Sequence, residues 1–398
     1  MQKVRPLLIL IAYVGFISLG LPDSVLGVAW PSMRRTFGLP LDALGAVFLF
    51  GTSGYLISSM NSGRILRRTG VGLLLAGSSL LTVVSLLGYA LSPRWSFFVA
   101  LSFVSGLAGG AVDAGLNTFA ATNLSNRHMN WLHAFWGVGA STGPMIMTAV
   151  LGTGVGWRWG YAVIAVVQTI LVAGFFLTLK QWAVPGSEPA NGTAEETATR
   201  GDVLRLPAAW LSMALFFFYC GVETITGQWM YSVMVESRGI APVRAGVWVS
   251  LYWASLTAGR FLIGSLANRI DTVRLVRWAM GGALCGVALL LTRAVPLTLA
   301  GLALTGFSLA PIFPSLMSLT PRRFDARHVP RIIGYQVGSA TIGIALLPAL
   351  AGVIARRAGL EMICLFLLAL ATAMVVLHEM IVRRPREARA TATSNPQM

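Results

Sequence analysis

Long apolar runs separated by short polar clusters dominate the chain. Each run is about 20 residues, the length a helix needs to cross the roughly 30 Å hydrocarbon core of a bilayer. Twelve such runs can be placed, at roughly 7–29, 42–62, 71–91, 96–121, 130–151, 159–179, 207–233, 243–265, 276–292, 296–319, 332–354 and 361–382. The pattern predicts an all-α integral membrane protein with twelve transmembrane helices and no room for an extramembrane domain. The first run follows Lys3 and Arg5 as the apolar part of a signal peptide would. It stays apolar to about Trp30, however, and no small-residue cleavage site follows, so it reads as a retained first pass.

One stretch breaks the pattern. Residues 181–206 are polar and rich in Pro, Gly, Thr and Ala, and read as a flexible linker. The sequon at Asn191-Gly-Thr193 falls there and reads as a chance match. The linker divides the chain into an N-terminal half at 1–180 and a C-terminal half at 207–384, with a tail at 385–398. The halves match at an offset near 200. Asp23, Ser24 and Gly27 in the first pass correspond to Glu223, Thr224 and Gly227 in the seventh. Gly63 to Arg68 corresponds to Gly264 to Arg269, and Val138-Gly-Ala-Ser-Thr to Val337-Gly-Ser-Ala-Thr. Repeated matches in equivalent passes point to duplication into two pseudo-symmetric six-helix halves. That architecture belongs to transporters with a site at the bilayer midplane.

Composition narrows the classes. Of 398 residues, 56% are hydrophobic and 11% charged, too few charges to clothe a soluble globule of this size. The formal charge is +16, but the basic residues stand in twos and threes between apolar runs. That distribution excludes a nucleic-acid-binding groove. With the N-terminus inside, twenty of the 30 Lys and Arg lie on the cytoplasmic side, nine outside, and Arg260 falls within a pass. Both termini are therefore expected in the cytoplasm, the protein being multi-pass in the cell (inner) membrane. Cys220, Cys285 and Cys364 lie in apolar runs, and the four histidines form no metal-binding spacing. No cofactor and no enzymatic nucleophile–base pair are expected. The expected partners are the bilayer, protons and a small-molecule substrate, acting on a monomer.

Three carboxylates fall inside apolar runs: Asp23, Asp113 and Glu223. Placing an ionised carboxylate at a helix centre costs about 2.5–3.5 kcal/mol on insertion scales, so such a group faces a cavity, finds a partner or takes up a proton. Desolvation disfavours the charged form, which brings proton uptake within reach of neutral pH. These three are the candidate proton-coupling residues; structural roles, as helix caps or paired groups, compete with that reading. Asp113 has the richest setting. Gly106, Gly109 or Gly110, Asp113 and Asn117 recur at helical spacing on one face, and the glycines permit close helix approach. His133 lies as far beyond the turn near Asn123 as Asp113 lies before it, so a hairpin would put the two at similar depth, about 15 Å. Trp136, Gln228, Trp229 and Gln336 are further polar or aromatic residues within passes. With Asn117 and His133 they make the candidate substrate-binding set, since amides and Trp faces suit hydroxyl-rich ligands. In the tenth pass Pro311 and Pro314 predict a break or kink.

These residues carry a resemblance. Gly63, Arg67, Arg68 and Gly70, and again Gly264, Asn268 and Arg269, look like degenerate copies of the major facilitator superfamily loop motif, with Arg67 and Asn268 where the family usually has Asp. Within that superfamily the chain resembles the fucose permease group. Asp113, Asn117 and Phe119 match its fourth pass, Asn130, His133 and Phe135 its fifth, and Gly221, Val222, Glu223, Gly227 and Trp229 its seventh. The resemblance implies the major facilitator fold, alternating access and Asp113 as the protonated carboxyl. It implies gating roles for the two loop motifs and a sugar or sugar-like substrate, although Asp23 does not align with the sugar symporters' first-pass acid. A proton-driven efflux pump for amphipathic compounds, a proton-independent uniporter and a non-transporting nutrient receptor remain alternatives.

Overall fold

The first helix, α1 (Pro6–Phe37), opens on a proline, which costs no hydrogen bond there because the first-turn N–H groups have no helical acceptor. It stops at Gly38, whose φ of 64° is left-handed and whose N–H closes on the Arg34 carbonyl. The second, α2 (Leu44–Leu91), changes direction at Gly70, where φ is 73° and ψ 167°. Its two arms, 44–69 and 71–91, both pack on α3 (Trp95–Asn123). Gly88 meets Leu101 and Gly115 meets Leu74 and Leu75, so the second arm runs antiparallel to α3. Gly51 meets Gly106 and Tyr55 meets Gly110, so the first arm runs parallel to it. Gly70 therefore reverses the chain in one residue. The sequence pattern ended this pass near residue 62; the helix persists to 69 because the Arg and Leu residues of 64–68 are good helix formers.

The chain continues through α4 (Asn126–Gly152), α5 (Trp157–Leu177) and α6 (Pro207–Ser232), the last prolonged by a π-turn at Val233–Ser237. Then come α7 (Pro242–Leu266), α8 (Thr272–Leu290), α9 (Val295–Leu309), α10 (Ile312–Arg323), α11 (Val329–Ala358) and α12 (Met362–Arg383). The break between α9 and α10 falls at Ala310-Pro311, where the proline supplies no N–H and its ring opposes the Phe307 carbonyl. The computed structural model describes residues 5–124, 126–182, 203–266 and 270–383. Asn268, Arg269, the Asn191 sequon, most of the linker and the tail lie outside them. No strand occurs among the described residues, and ten segments there are long and apolar enough to cross a membrane. One of the ten, Leu41–Leu91, doubles back at Gly70, and α7 packs among them although it carries Arg244 and Arg260. The arrangement accords with twelve passes. Large apolar side chains such as Leu177 (83% exposed), Ile170 (72%) and Trp278 (67%) face outward, where lipid replaces water as their solvent.

Helix pairing repeats along the chain, as the sequence matches anticipated. The packing of α1 on α4 recurs as α6 on α11, α2 on α5 recurs as α8 on α12, and α2 on α3 recurs as α7 and α8 on α9. The two sets meet through α1–α6, α2–α11 and α4–α7.

Their contact is uneven along the bundle. Away from the termini one continuous core crosses between the sets, with Trp30, Phe98 and Trp157 joined to Tyr219, Trp229 and Tyr252. At this end Gly45 packs on Ala349, Gly27 on the Gln228 backbone and Gly246 on Thr148. Small residues of this kind let helices approach closely where no hydrophobic effect drives them together. Two ion pairs cross the same end. One Arg34 nitrogen donates to both Glu236 oxygens at 3.0 Å, and Arg356 pairs with Asp42 at 3.0 Å. Toward the termini the core divides. Leu8, Phe16, Leu75, Leu116, Phe119 and Trp182 form one cluster, and Val203, Ala209, Phe324 and Ile332 another.

Candidate functional site

The three acids of the apolar runs take up three different settings. Asp113 projects from α3, whose Gly106 and Gly110 lie against the first arm of α2. That approach brings Tyr55 within reach, and its hydroxyl donates to Asp113 Oδ2 at 2.7 Å. Asn117, one turn further along α3, donates to Oδ1 at 2.9 Å. Both carboxylate oxygens thus accept from neutral donors, and the pairing of Asp113 with Asn117 is the one their helical spacing predicted. Gly109, on the same face, looks into open space.

His133 does not bond Asp113 directly. It stands exposed and edge-on to Phe16, ring centres 5.2 Å apart, within electrostatic reach of both Asp113 and Arg260. Tyr55 and Asn117 fill the positions around the carboxylate instead.

Asp23, also exposed, lines a cleft with Ser18, Pro22, Thr82, Ser105 and Gly109. The indole N–H of Trp136 donates to its Oδ2 at 3.3 Å. Its backbone carbonyl accepts from Gln228 Nε2 at 2.6 Å, so Gln228 ties α6 to α1.

Glu223, on α6, is ion-paired. Its carboxylate accepts a short hydrogen bond from Tyr219 and lies 3.6 Å from Arg260 Nη2 on α7. Tyr252 donates to its backbone carbonyl at 2.8 Å. The Arg260 guanidinium also lies over the Trp136 ring, 5.5 Å from its centre, and Trp136 meets Trp253 edge-on at 5.8 Å.

Three candidates face protein instead of open space: Gln228, only 4% exposed and bonded to the Asp23 carbonyl, Gln336 and Trp229. Gln336 has no exposed surface; its amide N–H groups donate to Ser212 and Thr320, a polar knot between α6, α10 and α11. Trp229 is equally buried and donates to the Pro348 carbonyl at 3.0 Å. The loop-motif residues Gly63, Arg67 and Arg68 are exposed on the last turns before Gly70, and Gly264 lies in the last turn of α7. The three cysteines are free.

Sequence reasoning had not singled out Tyr55, Tyr219, Trp253 or the role of Arg260. Two signals were available. Tyr219 precedes Glu223 by four residues, which puts both on one helix face. Arg260 is a cation inside an apolar run, and such a charge pairs with an acid.

Comparison with known proteins agrees with this architecture. The major facilitator superfamily model matches residues 12–298 and 230–397. The glucose/mannose transporter GlcP of Bacillus subtilis (strain 168) is 22% identical over 358 residues, covering 86% of each chain. A TsgA homolog of Citrobacter koseri is 24% identical over 88% of each. Among solved structures, a point mutant of the nucleoside transporter NupG aligns with a TM-score of 0.74 at 13% identity, over 94% of this chain and 99% of its own. An inward-facing, unoccupied bacterial homolog of the lysosomal transporter Spinster aligns at 0.69, also at 13% identity, over 96% and 95%. With its helical bundle, its repeated pairing and a family match along nearly its whole length, this chain belongs to the major facilitator superfamily of membrane transporters.

Proposed function

We propose that the protein is a proton-coupled secondary transporter that moves a small sugar or sugar-like solute by alternating access, as a monomer in the cell inner membrane. The observation that carries the reading is the setting of Asp113. A hydroxyl can donate to a carboxylate or accept from a carboxylic acid, and a primary amide donates to either form. Tyr55 and Asn117 can therefore serve Asp113 with its proton on or off, without stranding a charge. A group that gains and loses a proton during a cycle needs surroundings of this kind. Asp23 lines a cleft with Gly109, one turn before Asp113, His133 lies within electrostatic reach of Asp113, and Glu223 completes the set of candidate acids.

The distribution of Lys and Arg favours cytoplasmic termini. On that orientation the joined end is external and the divided end is cytoplasmic, so the conformation is inward-facing. Residues 1–180 and 207–384 then act as the two rocking halves, with 181–206 as linker and 385–398 as tail. Gly63, Arg67, Arg68 and Gly264 then fall on the side that must close, and with Asn268 and Arg269 of the second motif they take the gating role that the resemblance implies. A sugar-like solute is favoured by the half-buried Trp136 indole beside the Asp23 carboxylate and by the name of one relative, a glucose/mannose transporter.

A thermal-shift screen of monosaccharides on the purified protein, followed by counterflow of the best hit in proteoliposomes, tests the reading. Asp113→Asn should abolish accumulation driven by a proton gradient and leave solute exchange intact. Undiminished accumulation removes Asp113 from its role. Binding without exchange would identify a receptor.

A further inference from the structure

The acids of the two halves are joined by a chain of contacts that crosses the seam between the halves. Asp23 on α1 accepts from the Trp136 indole on α4 at 3.3 Å. The same ring lies under the Arg260 guanidinium of α7 at 5.5 Å, and Arg260 pairs with Glu223 on α6 at 3.6 Å. Asp23 and Glu223 occupy matching positions in the sequence repeat, so the chain connects equivalent points of the two halves. Its middle link crosses from one half to the other, and flanking contacts hold it. Phe135 meets Phe261 at 90° with ring centres 6.5 Å apart, and Gly137 lies against Thr257.

We infer that Arg260 is a positioning residue that couples the halves: held by Glu223 in its own half and seated on Trp136 in the other, it makes the placement of the Trp136 indole beside Asp23 depend on the Arg260–Glu223 ion pair of the opposite half. A guanidinium suits this task. It is planar, stays charged, stacks on an aromatic face and donates to a carboxylate at the same time. The inference rests on the alternating-access reading, because the contact matters to transport only if the halves move relative to one another.

The test is hydrogen exchange of the full-length protein in nanodiscs, reading the amides of 26–33 and 345–352 at the joined end. Arg260→Gln and Trp136→Leu each remove a contact made in this conformation. Each should raise exchange at these amides by about 3- to 30-fold, the range a partly desolvated cation–π contact commands. The double variant should exchange no faster than either single one. In a Glu223→Gln background, where Arg260 loses its hold, Trp136→Leu should add nothing. Amides of the second half of α5 (166–177), outside the core that joins the halves, should not change, whereas a merely structural role would loosen them too. Arg260→Lys and Trp136→Phe, which keep a charge and a ring, should fall between wild type and the severe variants and guard against misfolding. Additive single effects, or no effect, overturn the inference alone. A wild-type joined end that never opens to exchange overturns the alternating-access reading, and the inference with it.

Discussion

Asp113 and Glu223 are both half-buried carboxylates in a membrane bundle, one in each half, and they are stabilised in opposite ways. Asp113 has two neutral donors, Tyr55 and Asn117. Glu223 has a neutral donor, Tyr219, and a cation, Arg260. Protonating Asp113 leaves every neighbour satisfied. Protonating Glu223 strands Arg260, whose side chain is only 21% exposed, among apolar helices. The difference teaches that an acid inside a membrane is not by itself a proton site. The charge of its partner decides whether a proton can come and go cheaply.

The comparison can be broken first at its charged member. Glu223→Ala should destabilise the protein by about 3 kcal/mol, because it leaves Arg260 unpaired. Adding Arg260→Gln should recover part of that loss in thermal unfolding. If the double variant is no more stable than Glu223→Ala, the pair does not account for Glu223. Gln336→Ala should cost about 2 kcal/mol by opening a buried hydrogen-bonded knot, yet leave substrate affinity unchanged in equilibrium binding. A weakened affinity would move the site toward α10 and α11, away from both acids. Tyr55→Phe sharpens the neutral member: it should cost about 1–2 kcal/mol and shift the pH profile of accumulation, with exchange retained.

The smallest effect concerns a carboxylate outside the bilayer. Burial pushes the Glu361 carboxyl up, but hydrogen bonds from Arg238 and Ser237, with the positive charges of Arg238 and Arg293, bring it below its ordinary value. A lowered folded value means that the stabilisation is present above the ordinary glutamate range and is lost as pH falls through the lowered value. Glu361→Gln should therefore melt below wild type at pH 7, by about 1 kcal/mol, and match it in acid once the pH is below the lowered value. A difference that persists in acid would assign the effect to packing.

Much of this was legible in the sequence, for physical reasons. Apolar length placed the passes, Pro311 placed the break in the tenth, and helical spacing placed Asn117 beside Asp113. The duplicated matches anticipated the repeated pairing of helices. Contacts between helices were not legible. Tyr55 and Arg260 reach their acids from neighbouring helices, 58 residues from Asp113 and 37 from Glu223. Periodicity within one helix carries no trace of such a partner. Gln336 and Trp229 drew attention as polar groups in apolar runs. Composition alone cannot distinguish a polar atom turned toward a ligand from one satisfied by Ser212, Thr320 or the Pro348 carbonyl.

The reversal at Gly70 has a practical corollary. Two membrane passes joined by one residue have no slack between them, so the register of either arm is set by the other, and the hairpin is a single stiff part. An epitope tag, a fluorescent protein or a protease site introduced at residue 70 would have to pry the arms apart. Side chains other than glycine are also strained at a φ of 73°. Engineers wishing to report on this half without altering it should leave that corner alone and attach their probes elsewhere.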